Sequence, residues 1–439
     1  MVYGPMTPPP PPAETSASHI QRVYLLLTLL TTLAASFIWG INTLFLLDAG
    51  LNNTQAFAAN AFFSIGMVVF EVPTGVVADT RGRRFSFMLG AAVLLLATLL
   101  YLAMWQFEAP FIGWALASIL LGLGFTFFSG ATEAWLVDAL GATGFRGNLE
   151  TVFGRGQTIG GVAMLGGSVL GGVVAQLTNL GVPYLLRALL LGVALLAAFL
   201  FMRDLGFTAK KGISTGAAIR EITRGSIDGG LRNRPVRWMM LAAPFTGGVA
   251  FYAFYAMQPY LLELYDDPTA YSIAGLAAAI VAGAQIVGGL SVPIARRFFS
   301  LRTDAVFLAV ALQSLLLVGI AVVGFYQDPL VRTDFYLAIL LLVVWALVAA
   351  IAGPMRQAFL NGIIASEQRA TVLSFDSLMG SVGGTIAQPA LGRVADVSGY
   401  AASYLVAGVI SAMALPFVFL ARRERAPSDP IDPDTPVIV

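Results

Sequence analysis

The sequence has no cysteine and only one histidine among its 439 residues. Without cysteine, the chain has no disulfides, no thiolate metal sites and no cysteine nucleophiles. The one histidine, His19, lies in a polar N-terminal segment, so no relay of histidines can carry protons through the apolar part of the chain. Any side chain that carries a proton there is therefore expected to be a carboxylate.

Charged residues are also scarce. They make up 11% of the chain, whereas 58% of the residues are hydrophobic. Soluble domains carry roughly 25% charged residues, so this composition excludes a soluble globule and indicates a membrane protein that crosses the bilayer several times. The net charge of +1 gives no reason to expect a nucleic-acid partner.

Long apolar runs recur along the whole chain, each of about 20 residues or more and long enough to cross a hydrocarbon core of roughly 30 Å. We therefore predict an all-α integral membrane protein with twelve transmembrane helices. The predicted segments are residues 23–47, 56–77, 85–105, 111–140, 151–177, 183–202, 238–262, 271–295, 305–326, 335–359, 371–394 and 400–421.

The apolar pattern lapses once, between residues 203 and 237, where basic side chains accumulate. This lapse divides the twelve segments into two sets of six. The predicted organisation is a disordered tail over residues 1–20, an N-terminal half over 21–203, a central loop over 204–236, a C-terminal half over 237–421 and a second tail over 422–439.

The distribution of arginine and lysine predicts the orientation. If both termini are cytoplasmic, every basic residue except Arg187, Arg332 and Arg393 lies in or beside a cytoplasmic segment. Since basic residues concentrate on the cytoplasmic side of membrane proteins, we predict a multi-pass protein of the cytoplasmic membrane. Both tails and the central loop are then cytoplasmic.

A charged turn lies between the second and third segments. The stretch GVVADTRGRR starts at Gly75 and has the pattern G-x-x-x-D-x-x-G-R-R. Gly75 leaves room for another helix to approach, and Gly82 permits a sharp turn. Asp79 can pair with Arg83, and Arg83 and Arg84 hold the turn on the cytoplasmic side.

This pattern resembles the loop between the second and third helices of the major facilitator superfamily. The resemblance spans about residues 21–421 and implies two six-helix pseudo-repeats that rock about a central site. It also implies that the charged turn is a conformational latch, with Asp138 as the partner of Arg83. Two positions differ from sequence elements that exporters of this superfamily carry. Ser168 stands where those elements have a proline, and Ser118 stands where they have an arginine.

Three charged residues within the predicted helices are candidates for a proton relay. A charge at the centre of a membrane costs roughly 2.5 to 3.5 kcal/mol, so each one is a functional hypothesis. We expect Glu133 to face Arg155, which leaves Glu71 as the least compensated carboxylate. Glu71 is the first candidate proton carrier and Glu133 the second. The alternative is that all three form static ion pairs between helices.

A central cavity can be predicted from polar and aromatic residues on the helices that line the centre in this superfamily. Such a set suits an amphiphilic solute better than a sugar or a polyanion. The alternative for each aromatic residue is simple packing. The candidates are Trp39, Asn42, Thr43, Gln157, Phe251, Tyr255, Gln258, Gln285, Trp345 and Gln388.

The sequence thus predicts a secondary transporter that exports a hydrophobic or amphiphilic small molecule in exchange for protons. An uptake symporter or facilitator for an uncharged nutrient is the main alternative. A membrane enzyme or channel is remote, because we find no nucleophile motif, phosphate-binding loop or repeated filter residues. The expected partners are the solute and the lipid bilayer, the chain is expected to act as a monomer, and neither a metal nor a cofactor beyond the proton gradient is expected.

The charged turn generates a testable prediction. We expect Asp79→Asn to impair transport while the protein still inserts and folds, because the neutral amide cannot form the charge pair with Arg83. Arg83→Ala should give the same result. Transport rates, corrected for the amount of protein in the membrane, check this, and normal rates in both variants would show that the turn has no mechanistic role.

Overall fold

The computed structural model describes residues 16–128, 130–209, 226–327, 332–364 and 369–431, together with Gly216 and Arg220. Within these residues the regular structure is helical, apart from one isolated bridge between Leu301 and Pro430. The α-helices are α1 (Ala17–Trp39), α2 (Asn42–Asp48), α3 (Asn53–Arg81), α4 (Arg83–Gln106), α5 (Phe111–Thr126), α6 (Ala131–Ala142), α7 (Leu149–Leu177), α8 (Gly181–Phe201), α9 (Arg234–Tyr265), α10 (Tyr271–Ala295), α11 (Arg302–Phe325), α12 (Thr333–Ile363), α13 (Arg369–Ala412) and α14 (Leu415–Arg423).

These helices form twelve membrane crossings. The first crossing combines α1 with α2, and the fourth combines α5 with α6, which begins after Gly130 in a left-handed conformation (φ 67°). The last apolar helical stretch, Thr371–Arg423, has 53 residues and contains a break at Gly399 (φ 82°). It is long enough for two crossings, because a single crossing needs about 20 residues. The predicted all-α membrane fold with twelve crossings is confirmed.

The prediction of a disordered tail over residues 1–20 is wrong for residues 17–20. Ser16 caps α1 by accepting a hydrogen bond from the backbone N–H of His19 (3.3 Å), and the helix starts at Ala17. The predicted tail therefore loses residues 17–20 to α1, and residues 1–15 lie outside the described residues. Since the crossings are even in number, Ser16 and Ile431 lie at the same end of the bundle. We call this the terminus end, and the opposite one the far end.

The N-terminal half is held together where glycines of α7 meet α1. A Cβ atom at Gly171 would overlap the backbone carbonyl oxygen of Phe37, and one at Gly167 would overlap the hydroxyl of Ser36. That hydroxyl donates a hydrogen bond to the carbonyl of Ala163 (3.0 Å). Glycine is costly in an isolated helix, but here it allows two backbones to approach closely.

The C-terminal half combines close packing with a strong ion pair. The helices α9 and α13 touch at Gly248 and Gly383, where added Cβ atoms would overlap backbone atoms. Arg356 of α12 holds Asp376 of α13 through two hydrogen bonds of 2.6 Å, and it also donates to the carbonyl of Met239 (3.1 Å). This bidentate pair joins three helices near the terminus end.

The described part of the C-terminal tail is anchored to the same half. The carboxylate of Asp429 accepts hydrogen bonds from the backbone N–H (2.8 Å) and the hydroxyl (2.7 Å) of Thr303, at the start of α11. Burial raises the pKa of Asp429, although these two hydrogen bonds oppose the shift. Within the predicted tail, residues 432–439 lie outside the described residues.

Only part of the predicted central loop is described. Residues 226–231 form one π-helical turn, and α9 begins shortly after it at Arg234. Residues 210–215, 217–219 and 221–225 lie outside the described residues. The boundaries predicted for the two halves stay predictions.

The two halves meet along two pairs of helices. In one pair, α3 lies against α13, and in the other, α7 lies against α10. At the second contact, a Cβ atom on Gly172 would lie only 2.7 Å from the carbonyl oxygen of Tyr271 and 2.9 Å from the Cα atom of Gly275. Small residues therefore permit direct backbone contact between the halves.

The glycines of α7 offer a matched pair for a stability measurement. We expect Gly171→Ala to cost about 1–3 kcal/mol, because the new methyl group overlaps the carbonyl of Phe37 and α1 has to move. Gly166→Ala adds a methyl group to open space on the same helix, so it should cost nothing. Melting temperatures of the purified variants check this, and equal melting of the two would contradict the proposed packing.

Candidate functional site

A cavity of about 890 Å³ lies between the two halves. The first half contributes α1, α6 and α7 to its wall, and the second half contributes α10. The lining residues are Tyr24, Thr28, Thr32, Trp39, Glu133, Gly156, Gln157, Thr158, Gly160, Gly161, Val162, Met164, Leu165, Ala282, Gln285, Ile286 and Leu290.

One wall of the cavity is a polar and aromatic stripe on α1. Tyr24, Thr28 and Thr32 follow one another at intervals of four residues and therefore share a face of the helix. Trp39 continues this face, and its ring packs against Phe254 of α9 with 4.9 Å between ring centroids. The stripe places hydroxyl groups and two aromatic rings along the same side of the cavity.

Two amides contribute to the wall from the other helices. Gln157 of α7 and Gln285 of α10 are both exposed to the cavity. Next to them, Gly161 and Ile286 bring α7 and α10 together, since a Cβ atom on Gly161 would lie 3.8 Å from Ile286. Of the predicted cavity residues, Trp39, Gln157 and Gln285 therefore line the cavity.

Glu133 is the one charged residue among those that line the cavity. It is exposed and lies in the first turn of α6, where the positive end of the helix dipole stabilises a carboxylate. The pairing expected between Glu133 and Arg155 is not formed, and Arg155 is exposed on α7 outside the lining. Within the described part of the chain, the carboxylate of Glu133 has neither a hydrogen bond nor an ion pair.

Glu71 occupies a different position. It is exposed on α3, does not line the cavity, and has an interaction partner. The expectation that Glu71 is the least compensated carboxylate stays a prediction. Glu133 differs from Glu71 in that it lies in the cavity wall.

The charged turn between α3 and α4 contains a local ion pair. Asp79 and Arg83, four residues apart, are joined by an Oδ1–Nη1 distance of 2.7 Å. Gly82 has φ 106°, a conformation that favours glycine, and a Cβ atom there would overlap Asp204. Asp204 also accepts a hydrogen bond from the backbone N–H of Arg84 (2.8 Å).

Two expectations about this turn are not met. Asp138 is half-buried on α6 and does not pair with Arg83, which instead binds Asp79. The position of Gly75 does not bring another helix close, because no atom lies within 4 Å of the place where its Cβ would be. The turn is thus held by its own charges and by Asp204, not by α6.

Two predicted cavity residues form a contact between the halves instead. The side chain of Gln258, fully buried on α9, accepts a hydrogen bond from the backbone N–H of Thr43 (2.9 Å). Its amide nitrogen donates to the carbonyl of Trp39 (2.8 Å). Gln258 thereby closes the gap between α9 and the bend that separates α1 from α2.

The remaining predicted cavity residues lie outside the cavity wall. Asn42 accepts a hydrogen bond from the hydroxyl of Tyr184 (2.9 Å) and donates to Asn60 (2.9 Å) within the first half. Trp345 and Gln388 are buried in the second half. Phe251 is 43% exposed and Tyr255 is half-buried, both on α9. The predicted solute site is therefore smaller than expected from the sequence.

A carboxylate that the sequence analysis missed joins the halves at the far end. Asp396 of α13 accepts hydrogen bonds from the backbone N–H groups of Asn53 and Thr54 (2.8 Å each) and from the hydroxyl of Thr54 (2.5 Å). These two N–H groups belong to the first turn of α3 and have no partner within their own helix. Asp396 thus caps a helix of the opposite half, and Tyr400 strengthens the contact by donating to the side chain of Asn53.

A family model described as Major Facilitator Superfamily matches residues 24–331. The chain belongs to the major facilitator superfamily. It is a transporter and not an enzyme, and its fold is the major facilitator fold. The resemblance inferred from the charged turn is confirmed.

Individual relatives of this major facilitator are distant. An uncharacterized MFS-type transporter of Methanocaldococcus jannaschii is 23% identical over 185 residues, which cover 42% of this chain and 46% of the relative. The chain therefore matches less than half the length of that relative. Among solved structures, the nucleoside transporter NupG has a TM-score of 0.75 at 10% identity and covers 92% of this chain and 98% of its own.

Two other solved transporters share the fold. The POT family transporter PepTSo has a TM-score of 0.71 at 12% identity, covering 92% of this chain and 98% of its own. A D-xylose–proton symporter has a TM-score of 0.62 at 14% identity, and the match covers 92% of this chain and 96% of the symporter. At these identities, the likeness shows the fold alone.

The major facilitator halves are joined at one end in this structure. The described hydrogen bonds between the halves involve residues 39–54, 176, 258, 272 and 396–400. All of these lie near the far end, where α3 begins and α7 ends. The cavity lies on the other side of these contacts, along α1, α7 and α10 toward the terminus end.

A buried arginine is the second functional candidate that the sequence analysis missed. Arg187 of α8 is 3% exposed. It donates to the hydroxyl of Thr98 (3.1 Å) and weakly to the carbonyl of Ala34 (3.4 Å), and it lies 6.0 Å from the centre of the Phe125 ring. Within the described residues it has no carboxylate partner. The sequence carries a signal for it, because Arg187 interrupts an apolar run.

The far-end contact generates a prediction about opening. We expect Asp396→Asn to open the far end more often, because an amide cannot accept all three hydrogen bonds and lacks the charge that binds the helix N-terminus. Thr43 is fully buried at this end, and the chain has no native cysteine. A Thr43→Cys reporter in lipid nanodiscs at pH 7 should therefore react with maleimide at least about tenfold faster when Asp396 is replaced.

The matched control is Asp267→Asn, which removes a carboxylate at the same end. Asp267 lies in the loop between α9 and α10, where hydrogen bonds from Thr269 lower its pKa. It makes no described contact with the other half, so its replacement should leave the labelling rate unchanged. Equal rates for the Asp396 and Asp267 variants would show that Asp396 does not hold the far end closed.

Proposed function

We propose that this transporter exports an amphiphilic small molecule from the cytoplasm in exchange for protons. The observation that supports the proposal is the cavity of about 890 Å³ between the halves, which contains a single carboxylate in an otherwise uncharged wall. Small-molecule sites have volumes of about 300–1,000 Å³ and combine a mainly apolar lining with a few polar groups. The cavity has both properties.

The composition of the wall favours an amphiphilic solute. Val162, Leu165, Ile286 and Leu290 provide an apolar surface on α7 and α10. The hydroxyls of α1 provide hydrogen-bonding groups, and so do the amides of Gln157 on α7 and Gln285 on α10. A molecule with an apolar body and one polar end satisfies both surfaces, whereas a polyanion meets the carboxylate of Glu133.

Glu133 is the proposed proton carrier. A carboxylate in the wall of a cavity between two moving halves is reached by water from whichever side is open, so it binds a proton from one side and releases it to the other without any histidine.

The free energy released when one proton moves down its gradient is large enough to drive export of a solute. A proton that moves down a potential of about 100 mV provides roughly 2.3 kcal/mol, and each pH unit adds about 1.4 kcal/mol. Because a tenfold gradient of a neutral solute costs about 1.4 kcal/mol, a single titrating carboxylate sustains a gradient of a few hundredfold.

The charge distribution supports the orientation that export requires. We place the terminus end in the cytoplasm, because the basic residues concentrate there. The contacts of Asp396 and Gln258 then close the outer side, and the cavity faces inward. In this state the solute enters from the cytoplasm as the proton leaves.

Uptake of a polar nutrient is the second candidate. The hydroxyls of Thr28 and Thr32 and the amides of Gln157 and Gln285 favour it, because these groups also suit a hydroxyl-bearing solute. The fold is shared with a nucleoside transporter and a D-xylose–proton symporter. The sign of the solute-driven proton flux distinguishes the two candidates.

A flux assay tests the proposal. Purified protein in liposomes with an internal pH dye is exposed to a panel of amphiphilic dyes and to nucleosides and sugars. We expect amphiphiles to drive protons in the direction opposite to their own movement. Glu133→Gln should abolish this proton flux while exchange of labelled solute continues, because the amide cannot carry a proton.

The matched control is Glu71→Gln, which removes the carboxylate that does not line the cavity. We expect proton coupling to survive this change. Coupling that disappears with Glu71 and persists without Glu133 would exclude Glu133 as the carrier. Proton flux in the same direction as a sugar or nucleoside would favour uptake.

A further inference from the structure

A second cavity lies at the terminus end of the first half. It has a volume of about 310 Å³ and is lined by the first turns of α1, by α6, and by the end of α8 with the loop that follows it. Trp135 and Ile20, which are 2% and 3% exposed, are buried in its wall. None of its lining residues lines the cavity between the halves.

The charge of this second cavity is basic. His19 and Arg203 both line it, and among the described lining residues none is acidic. Asp204, next to Arg203, instead accepts the hydrogen bond from the backbone N–H of Arg84 (2.8 Å). His19 lies in the first turn of α1, where the positive end of the helix dipole adds to the same field. The second cavity therefore favours an anion.

Both basic residues belong to segments that are held in place. The indole Nε1 of Trp135 donates to the backbone carbonyl of Arg203 (2.8 Å), which fixes the loop after α8. The ring of His19 packs edge-to-face against Phe201, with 6.3 Å between ring centroids. A guanidinium group and an imidazole N–H both suit the oxygens of a phosphate group. Because the segments are already ordered, binding costs little further ordering.

An apolar stripe on α8 leads to the second cavity. Leu189, Val193, Leu196 and Leu200 recur at intervals of three or four residues, so they share one face of the helix, and all four are exposed. Leu200 itself lines the cavity. The stripe is about 16 Å long, which matches half of a hydrocarbon core of roughly 30 Å. An acyl chain along this face in one leaflet therefore places its headgroup at the cavity.

We propose that the second cavity binds the phosphate group of an anionic phospholipid whose acyl chains lie along α8. A free phosphate ion offers the same oxygens to His19 and Arg203, but it makes no use of the apolar stripe. The bound headgroup joins α1, α6 and α8 at the membrane surface. Such a site is independent of the solute and of the direction of transport.

A cysteine reporter tests whether a lipid occupies the second cavity, because the chain has no native cysteine. Leu205→Cys places a thiol in the wall, and the full-length protein is placed in nanodiscs of dioleoylphosphatidylcholine or dioleoylphosphatidylglycerol. We expect uncharged N-ethylmaleimide to label this thiol at least about fivefold more slowly in phosphatidylglycerol. Inorganic phosphate added to the phosphatidylcholine nanodiscs should leave the rate unchanged.

Two arginine variants form a matched pair in the reporter protein. Arg203→Gln should abolish the protection, because the amide has no charge, whereas the backbone carbonyl still accepts from Trp135. Arg146→Gln should keep the protection, since it removes an exposed positive charge from the loop between α6 and α7, at the same end but outside the cavity. A Thr151→Cys reporter, exposed in the first turn of α7, measures the effect of membrane charge on thiol reactivity, and all rates are corrected by it.

The outcomes distinguish a lipid from other ligands. Equal corrected rates in the two lipids, or protection that survives Arg203→Gln, would overturn the proposal. Protection by inorganic phosphate alone would show that the second cavity takes a free anion and not a lipid. Melting temperatures in phosphatidylcholine show whether Arg203→Gln keeps its fold. His19→Gln leaves the loop after α8 unchanged and should also weaken the protection, and full protection in this variant would equally contradict the proposed site.

Discussion

The capping of α3 by Asp396 is the interaction on which the observed arrangement of the two halves depends. The first turn of every helix leaves N–H groups without partners, and here a carboxylate from the opposite half accepts two of them. Around this contact the backbones touch at Gly172 and Gly275, and Gln258 bridges α9 and the bend after α1. Because these contacts gather at the far end, the cavity is left open along the rest of the interface.

The charged side chains of the bundle differ in the hydrogen bonds and ion pairs that they form. Asp376 is held by two hydrogen bonds from Arg356, and Asp79 pairs with Arg83. These pairs satisfy their charges locally and stabilise a half or a turn. Glu133 has no such partner among the described residues, although it lies in a wall without any other charge. A lone carboxylate is costly in a membrane, and binding of a proton removes that cost.

Arg187 shows a third way to accommodate a charge. Its guanidinium group is buried in α8 and is surrounded by a hydroxyl, a carbonyl and the ring of Phe125. No carboxylate of the described chain approaches it. It joins α8 to α1 and α4 within one half, so it contributes to the rigidity of the half that carries Glu133.

The sequence by itself determined the class of the protein, the number of crossings and the charged turn at Gly82. These features depend on composition, on the length of apolar runs and on a motif of adjacent residues, and each is local along the chain. It also identified Trp39, Gln157, Gln285 and Glu133 as candidates, because polar groups in apolar helices are conspicuous.

Only the tertiary structure decided which of these candidates share a cavity. It paired Asp396 with Asn53 and Thr54, residues more than 340 positions away, and it turned Gln258 from a cavity residue into a contact between the halves. It also placed Glu133 in the cavity wall and Glu71 outside it. The physical reason is that the contacts of a side chain in a membrane bundle depend on which helix faces pack together. The periodicity of one helix does not specify which other helix lies beside it.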